Sequence, residues 1–211
     1  MSRAARRHAL VVLLALLAGL GLSACAPLLV GGAVVTGMSA SDRRTTGAQL
    51  EDERIETRGA ARIREHLGER VHINVTSYNR QVLLTGEVPS EQDKQLAEQV
   101  VARVENVRAI INELGVVGVS TLGQRSSDTL VTGRAKANLI DTRDLNSNAF
   151  KIVTERGVVY LLGRVTAREA DRATDIVRRT SGVQKVVRLF ETITEEDLLD
   201  MQQPVTPGPA R

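Results

Sequence analysis

The chain carries one pattern twice. VLLTGEVPSEQDKQLAEQVV, from Val82, and VYLLGRVTAREADRATDIVR, from Val159, set Gly86 against Gly163, Val88 against Val165 and Val100 against Val177 at an offset of 77 residues. Upstream, HINVTSYNR matches AFKIVTERG, and ETRGAARIREHL matches VTGRAKANLI. Downstream, VENVRAIINELGVV matches TSGVQKVVRLFETI once one residue is deleted. An internal repeat constrains a fold more than any composition does, because whatever one unit adopts the other must adopt as well. A chain of 211 residues has room for two small domains.

Each unit reads as helix, strand, strand, helix, strand. In the first unit Ile55, Gly59, Ile63 and Leu67 recur every four residues, which predicts a helix over about 52–67 with one face inward. Two short alternating strands are expected at 73–76 and 81–86, with Asn79-Arg80 as a tight turn between them and Arg156-Gly157 at the same place in the second unit. Ser90 with Asp93, and Thr166 with Glu169, carry the spacing by which a hydroxyl and a carboxylate satisfy free amides at a helix start. Asn106 and Gly182 mark the far ends, since both tolerate the left-handed backbone found there. Last strands are expected at 108–117 and 185–193. The fold class is therefore α+β: two tandem αββαβ sandwiches, each a three-stranded mixed sheet with two helices on one face.

With these elements in order, the second-strand pattern V-x-L-x-G-x-V, at Val82–Val88 and again at Val159–Val165, followed by A-x-x-A and V-x-x-V spacings, resembles the BON domain. The resemblance covers roughly residues 47–193. It implies a periplasmic, non-catalytic module that binds anionic phospholipid, phosphatidylglycerol-like in charge. It also implies support of outer-membrane integrity, with enrichment at division sites.

The amino terminus agrees with that setting. Arg3, Arg6 and Arg7 precede an apolar run from Ala9 to Leu22, then small residues, the order of a secretory signal. The run falls short of the ~20 apolar residues that a membrane span needs. Leu22-Ser23-Ala24-Cys25 resembles the lipobox of bacterial lipoproteins, which implies cleavage before Cys25 and acylation of that residue. Ala26 rather than Asp follows the cysteine, which in lipoprotein sorting favours the outer membrane. The expected organisation is a signal peptide at 1–24, a lipidated tether at 25–46, a first BON domain at 47–118, a linker at 119–127, a second BON domain at 128–194 and a disordered tail at 195–211. The protein would sit at the periplasmic face of the outer membrane, held by an N-terminal acyl anchor. Cys25 is the only cysteine, so its acylation leaves no thiol for a disulfide or a zinc cluster.

Charge narrows the partners. The whole chain is formally +3, but the signal holds three arginines and no acid, so the mature part has 25 residues of each sign. That balance argues against nucleic acid as a partner. The charge is unevenly placed. Residues 51–117 hold nine basic and twelve acidic side chains, and residues 125–193 hold thirteen basic and eight acidic. A basic second unit suits an anionic membrane surface, which attracts each nearby Lys or Arg by ~1 kcal/mol.

The first helix of the second unit, DTLVTGRAKANLID from Asp128, is the candidate lipid-binding element, with Asp128 as its expected N-cap. Val131, Ala135 and Leu139 make the stripe for the sheet. Leu130, Gly133, Arg134, Ala137 and Ile140 form a second stripe, flanked by Lys136, that a small core does not need. An apolar stripe edged by cations suits an interfacial helix. By the resemblance this is the family's lipid-binding helix, and Leu130 stands where an aromatic ring is common. Packing of Leu130 and Ile140 on the first unit is the open alternative. At the level of function the alternative is a periplasmic adaptor whose stripe binds an envelope protein of an assembly or cell-wall machine.

No catalytic constellation stands out. The mature histidines, His66 and His72, have no carboxylate or thiol at metal or nucleophile spacing along the chain, so no metal site, cofactor or enzymatic activity is expected.

Overall fold

A computed structural model describes residues 42–202. The signal segment, Cys25, the tether up to residue 41 and the tail beyond residue 202 lie outside the described residues.

The first domain opens with α1 (Thr46–Leu67), capped by the Thr45 hydroxyl on the Ala48 amide and ended at Gly68. Strand β1 (His72–Tyr78) runs antiparallel to β2 (Gln81–Val88). Asn79 and Arg80 between them have φ of 49° and 68°, the paired positive values of a type I′ hairpin. Helix α2 (Glu91–Ala102) then crosses to β3 (Ala109–Asn112) and β4 (Gly115–Val116), both parallel to β2. The single strand expected at 108–117 is thus broken. The Asn112 side-chain carbonyl takes the Leu114 amide at 3.3 Å, and the ladder resumes in the same register at Gly115, after a gap of two residues.

The second domain repeats the order with α3 (Leu122–Ile140), β5 (Phe150–Glu155), β6 (Val158–Thr166), α4 (Ala167–Arg178) and β7 (Lys185–Ile193). Here β6 pairs antiparallel with β5 and parallel with an unbroken β7. The hairpin turn is Arg156-Gly157, again with two positive φ angles.

Two of the three predicted caps form. The Ser90 hydroxyl accepts from the Asp93 amide, and Thr166 with Glu169 completes a capping box. These caps also relocate the length difference between the repeats. Ser90 and Thr166 are equivalent yet 76 residues apart, whereas Gly86 and Gly163 are 77 apart. The extra residue of the first domain is therefore Pro89, ahead of α2. Letter matching places it beyond that helix, because Val100-Val101 offers two partners for Val177. Val101 is the true counterpart.

The repeated glycine has a steric cause. A Cβ on Gly86 would lie 2.0 Å from the His72 carbonyl oxygen, and one on Gly163 would lie 2.3 Å from that of Ala149. Each second strand crosses its neighbour too closely for any side chain there.

Three cores result. Ile55, Ile63 and Leu67 of α1 with Ala97 and Val101 of α2 cover Val82, Leu84 and Val88 of β2. Val131, Ala135 and Leu139 of α3 with Ala173 and Val177 of α4 cover Val159, Leu161 and Val165 of β6. The third core joins Tyr78 and Leu83 of the first sheet to Tyr160 and Leu162 of the second, with Ile111, Val153, Val187 and Leu189 around them. The faces left free by the helices thus pack on each other. Alternation along the strands divides the side chains: even-numbered residues of β2 meet helices, and odd-numbered ones meet the other domain.

Two boundaries differ from expectation. Helix α3 begins at Leu122, where Thr121 and Gln124 form a capping box, so most of the expected linker is helical. The start of the expected disordered tail is α5 (Glu195–Gln202), with the Thr194 hydroxyl accepting from the Asp197 amide at 3.0 Å. Among the described residues no helix is long and apolar enough to cross a membrane.

Candidate functional site

Helix α3 turns Val131, Ala135 and Leu139 to the sheet and the predicted second stripe away from it. Leu130 is 59% exposed and Ile140 is 61% exposed. Gly133, Arg134 and Ala137 are exposed between them. The first domain meets the second through the opposite side of the sheet, so this stripe is not covered by it. Arg134 makes no ion pair among the described residues. Lys136 does not stand beside it as a free cation. Its ammonium donates to the Ser147 carbonyl, and burial holds its pKa below the usual lysine range. Five of the six residues therefore share one open surface, and the sixth braces the loop behind it.

The early start of α3 adds a residue. Leu122 is 79% exposed and lies two turns before Leu130 on the same side, with the exposed Ser126 between them, so the helix carries a further apolar contact at its start. Its sequence signal was Thr121 with Gln124, a capping box ahead of a run read as polar linker. Arg179 is also exposed and without an ion pair among the described residues. It adjoins Thr180, whose hydroxyl accepts from Asn138 of α3 at 2.9 Å. That contact packs the residue after Arg179, the C-cap of α4, against α3, which no spacing along the chain could indicate.

Asp128 is not the cap of α3. It is a buried residue of the second turn, and its two carboxylate oxygens accept from the amides of Arg156 and Gly157 at 2.8 Å. Asp52 occupies the same place in α1, accepting from the amides of Asn79 and Arg80 at 2.7 Å and from the Ser77 hydroxyl at 2.6 Å. Each first helix thereby holds the hairpin of its own sheet.

The last residues before α1 tie the domains together. Arg43 binds both Glu169 oxygens at 2.7 Å and donates to the Arg164 carbonyl at 2.8 Å, all in the second domain. Arg44 stays with the first, reaching Asp52 at 2.7 Å and lying 4.3 Å from the centre of the Tyr78 ring. At the other edge of the interface a polar cluster gathers His72, Glu87 and Glu155. His72 and Glu87 are cross-strand partners fifteen residues apart, and Glu155 comes from the other domain, so spacing along the chain conceals the group.

The model of the BON domain family matches residues 52–118 and 127–193. The chain belongs to the BON-domain family, as a dual-BON outer-membrane lipoprotein of the DolP type facing the periplasm. The outer membrane lipoprotein DolP of Haemophilus influenzae is 35% identical over 172 residues, which cover 81% of this chain and 89% of that protein. The 21 kDa hemolysin of Actinobacillus pleuropneumoniae is 32% identical over 154 residues, or 72% of this chain and 79% of the relative. The osmotically-inducible protein Y of Escherichia coli is 28% identical over 156 residues, or 72% of this chain and 78% of the relative.

Proposed function

We propose that the protein is a non-enzymatic reader of anionic phospholipid. Cys25 carries the acyl anchor, and α3 lies on the membrane surface with Leu122, Leu130, Ala137 and Ile140 at headgroup depth. Arg134 and Arg179 meet the phosphates. Through this contact the protein supports outer-membrane integrity, including at division sites. The observation that carries the reading is the exposure of Leu130 and Ile140 on a helix whose other face is fully used and whose domain already has its neighbour on the opposite side. An apolar stripe beside unpaired cations matches the chemistry of an anionic bilayer surface.

The test is co-sedimentation of residues 38–211, which lack the anchor, with vesicles. Binding is expected to vesicles containing phosphatidylglycerol, to weaken with salt, and to be lost on purely zwitterionic vesicles. Leu130→Glu removes ~1.5–3 kcal/mol of apolar burial, so affinity should fall about tenfold or more with an unchanged circular dichroism spectrum. Equal binding to both vesicle types, or no effect of Leu130→Glu, would overturn the reading and favour an envelope protein as the partner of the stripe.

A further inference from the structure

We propose that His72, Glu87 and Glu155 form a site for a divalent transition-metal ion that clasps the two domains together. One ligand atom from each residue lies within 4.8 Å of the others. His72 Nδ1 stands 3.0 Å from Glu87 Oε2. That is near the separation of ~3.3 Å between two ligands of a tetrahedral ion with bonds of 2.0–2.1 Å. Imidazole nitrogen with carboxylate oxygen is a donor set suited to zinc and its first-row neighbours.

Glu155 is the residue that asks for an ion. It is 7% exposed, and its partner Glu87 is 0% exposed. Glu155 accepts one hydrogen bond, from Asn74 Nδ2 at 3.1 Å, and among the described residues no basic side chain pairs with it. Burial, and then the charge of Glu87, push its carboxyl above the usual range. Two carboxylates held out of water beside each other cost free energy that a cation between them would offset. A proton on Glu155 would relieve the charge alone. It would not account for a histidine nitrogen and two carboxylates converging from three strands.

The surroundings suit such an ion. Arg156 reaches Glu87 Oε1 at 3.5 Å, while Oε2 faces His72 and also accepts from the Ser120 hydroxyl at 3.2 Å. The Ser120 hydroxyl and the Asn74 amide orient the two carboxylates, the part that outer hydrogen bonds play around metals. Asp128, whose carboxylate holds the Arg156 and Gly157 amides, adds to the negative charge around Glu155. A cavity of about 240 Å³, lined in part by His72, Asn74, Asp128 and Glu155, gives an ion its way in and a water its room as fourth ligand. Two ligands belong to the first domain and one to the second, so occupancy would fasten the sheets.

The experiment uses the full-length protein in detergent, stripped with EDTA, dialysed and titrated with zinc(II) by calorimetry. One ion per chain should bind, with a rise in melting temperature that EDTA reverses. Glu155→Gln keeps the Asn74 contact within reach and removes the charge. It should weaken zinc binding at least tenfold and leave the metal-free melting temperature unchanged or higher. His72→Gln should weaken binding likewise without the change in buried charge. Absence of saturable binding at one equivalent would overturn the proposal. So would wild-type affinity in both variants, which would assign the zinc to another group such as His66 instead.

Discussion

Asp52 and Asp128 sit in the middle of helices and bond to nothing in them. Each carboxylate instead holds two amides of a type I′ turn whose residues both carry positive φ. Three of those four turn residues are Asn or Arg rather than Gly, so the backbone there is strained by side chains that disfavour it. The aspartate supplies the compensation. Hydrogen bonds to a buried charge contribute about 1.5–3 kcal/mol, and removal also leaves two amides unpaired. Asp128→Ala should therefore lower stability by about 2–3 kcal/mol in denaturant unfolding, and Asp128→Asn by less, since one acceptor survives. A change below about 0.5 kcal/mol for the alanine variant would refute this role. In the sequence Asp128 reads as a cap because it stands where polar letters give way to apolar ones. The true cap, Thr121 with Gln124, was present in the letters but lay inside a stretch whose composition suggested a linker.

At the level of elements, the start of α4 gathers the most. Thr166 and Glu169 cap it, and Arg43, from before α1, closes on the same carboxylate. Burial alone would raise the Glu169 pKa, but the Arg43 hydrogen bonds and the Thr166 amide outweigh it and hold the group below the usual carboxylate range. An unfolded glutamate titrates near about 4.3, so this contribution is complete above that pH and is lost as pH falls through the lower folded value. The melting temperature should thus decline on the acid side of about pH 4.5. Arg43→Ala should lower stability at neutral pH by about 3 kcal/mol or more and flatten that decline. An acid limb identical to wild type would refute the coupling. The elements themselves were largely legible: repeat, turns, the caps of α2 and α4 and the inward stripes of α1 and α3 follow from spacing. The role of Arg43 was not, because its partner lies 126 residues away. The same limit hid the grouping of His72 with Glu155. The near-continuous apolar letters of VLL and VVYLL lie in strands buried on both faces, where the reading as alternating strands with helices on one face left the other face unassigned.

For the whole molecule, the shared core of Tyr78, Leu83, Tyr160 and Leu162 decides whether two domains behave as one. Leu83 is fully buried in it, away from either helical layer. Leu83→Ala should cost about 2–4 kcal/mol, and wild type should melt in one transition that the variant broadens or splits. A variant that melts like wild type would show that the sheets do not depend on each other. The packing also has an electrical consequence. Because sheet meets sheet, the helices of the acidic domain and those of the basic domain face opposite ways. The −3 of residues 51–117 then lies across the interface from the +5 of residues 125–193, which the four acids of α5, packed against β6, bring down to +1. The net charges of the two domains therefore differ far less than those of the two repeats. On the docking proposed above, an anionic leaflet within a Debye length of ~8–10 Å would select the local cations beside α3 rather than a whole-domain charge. A tether would fix only where the protein is; the local placement of charge would decide which side arrives first.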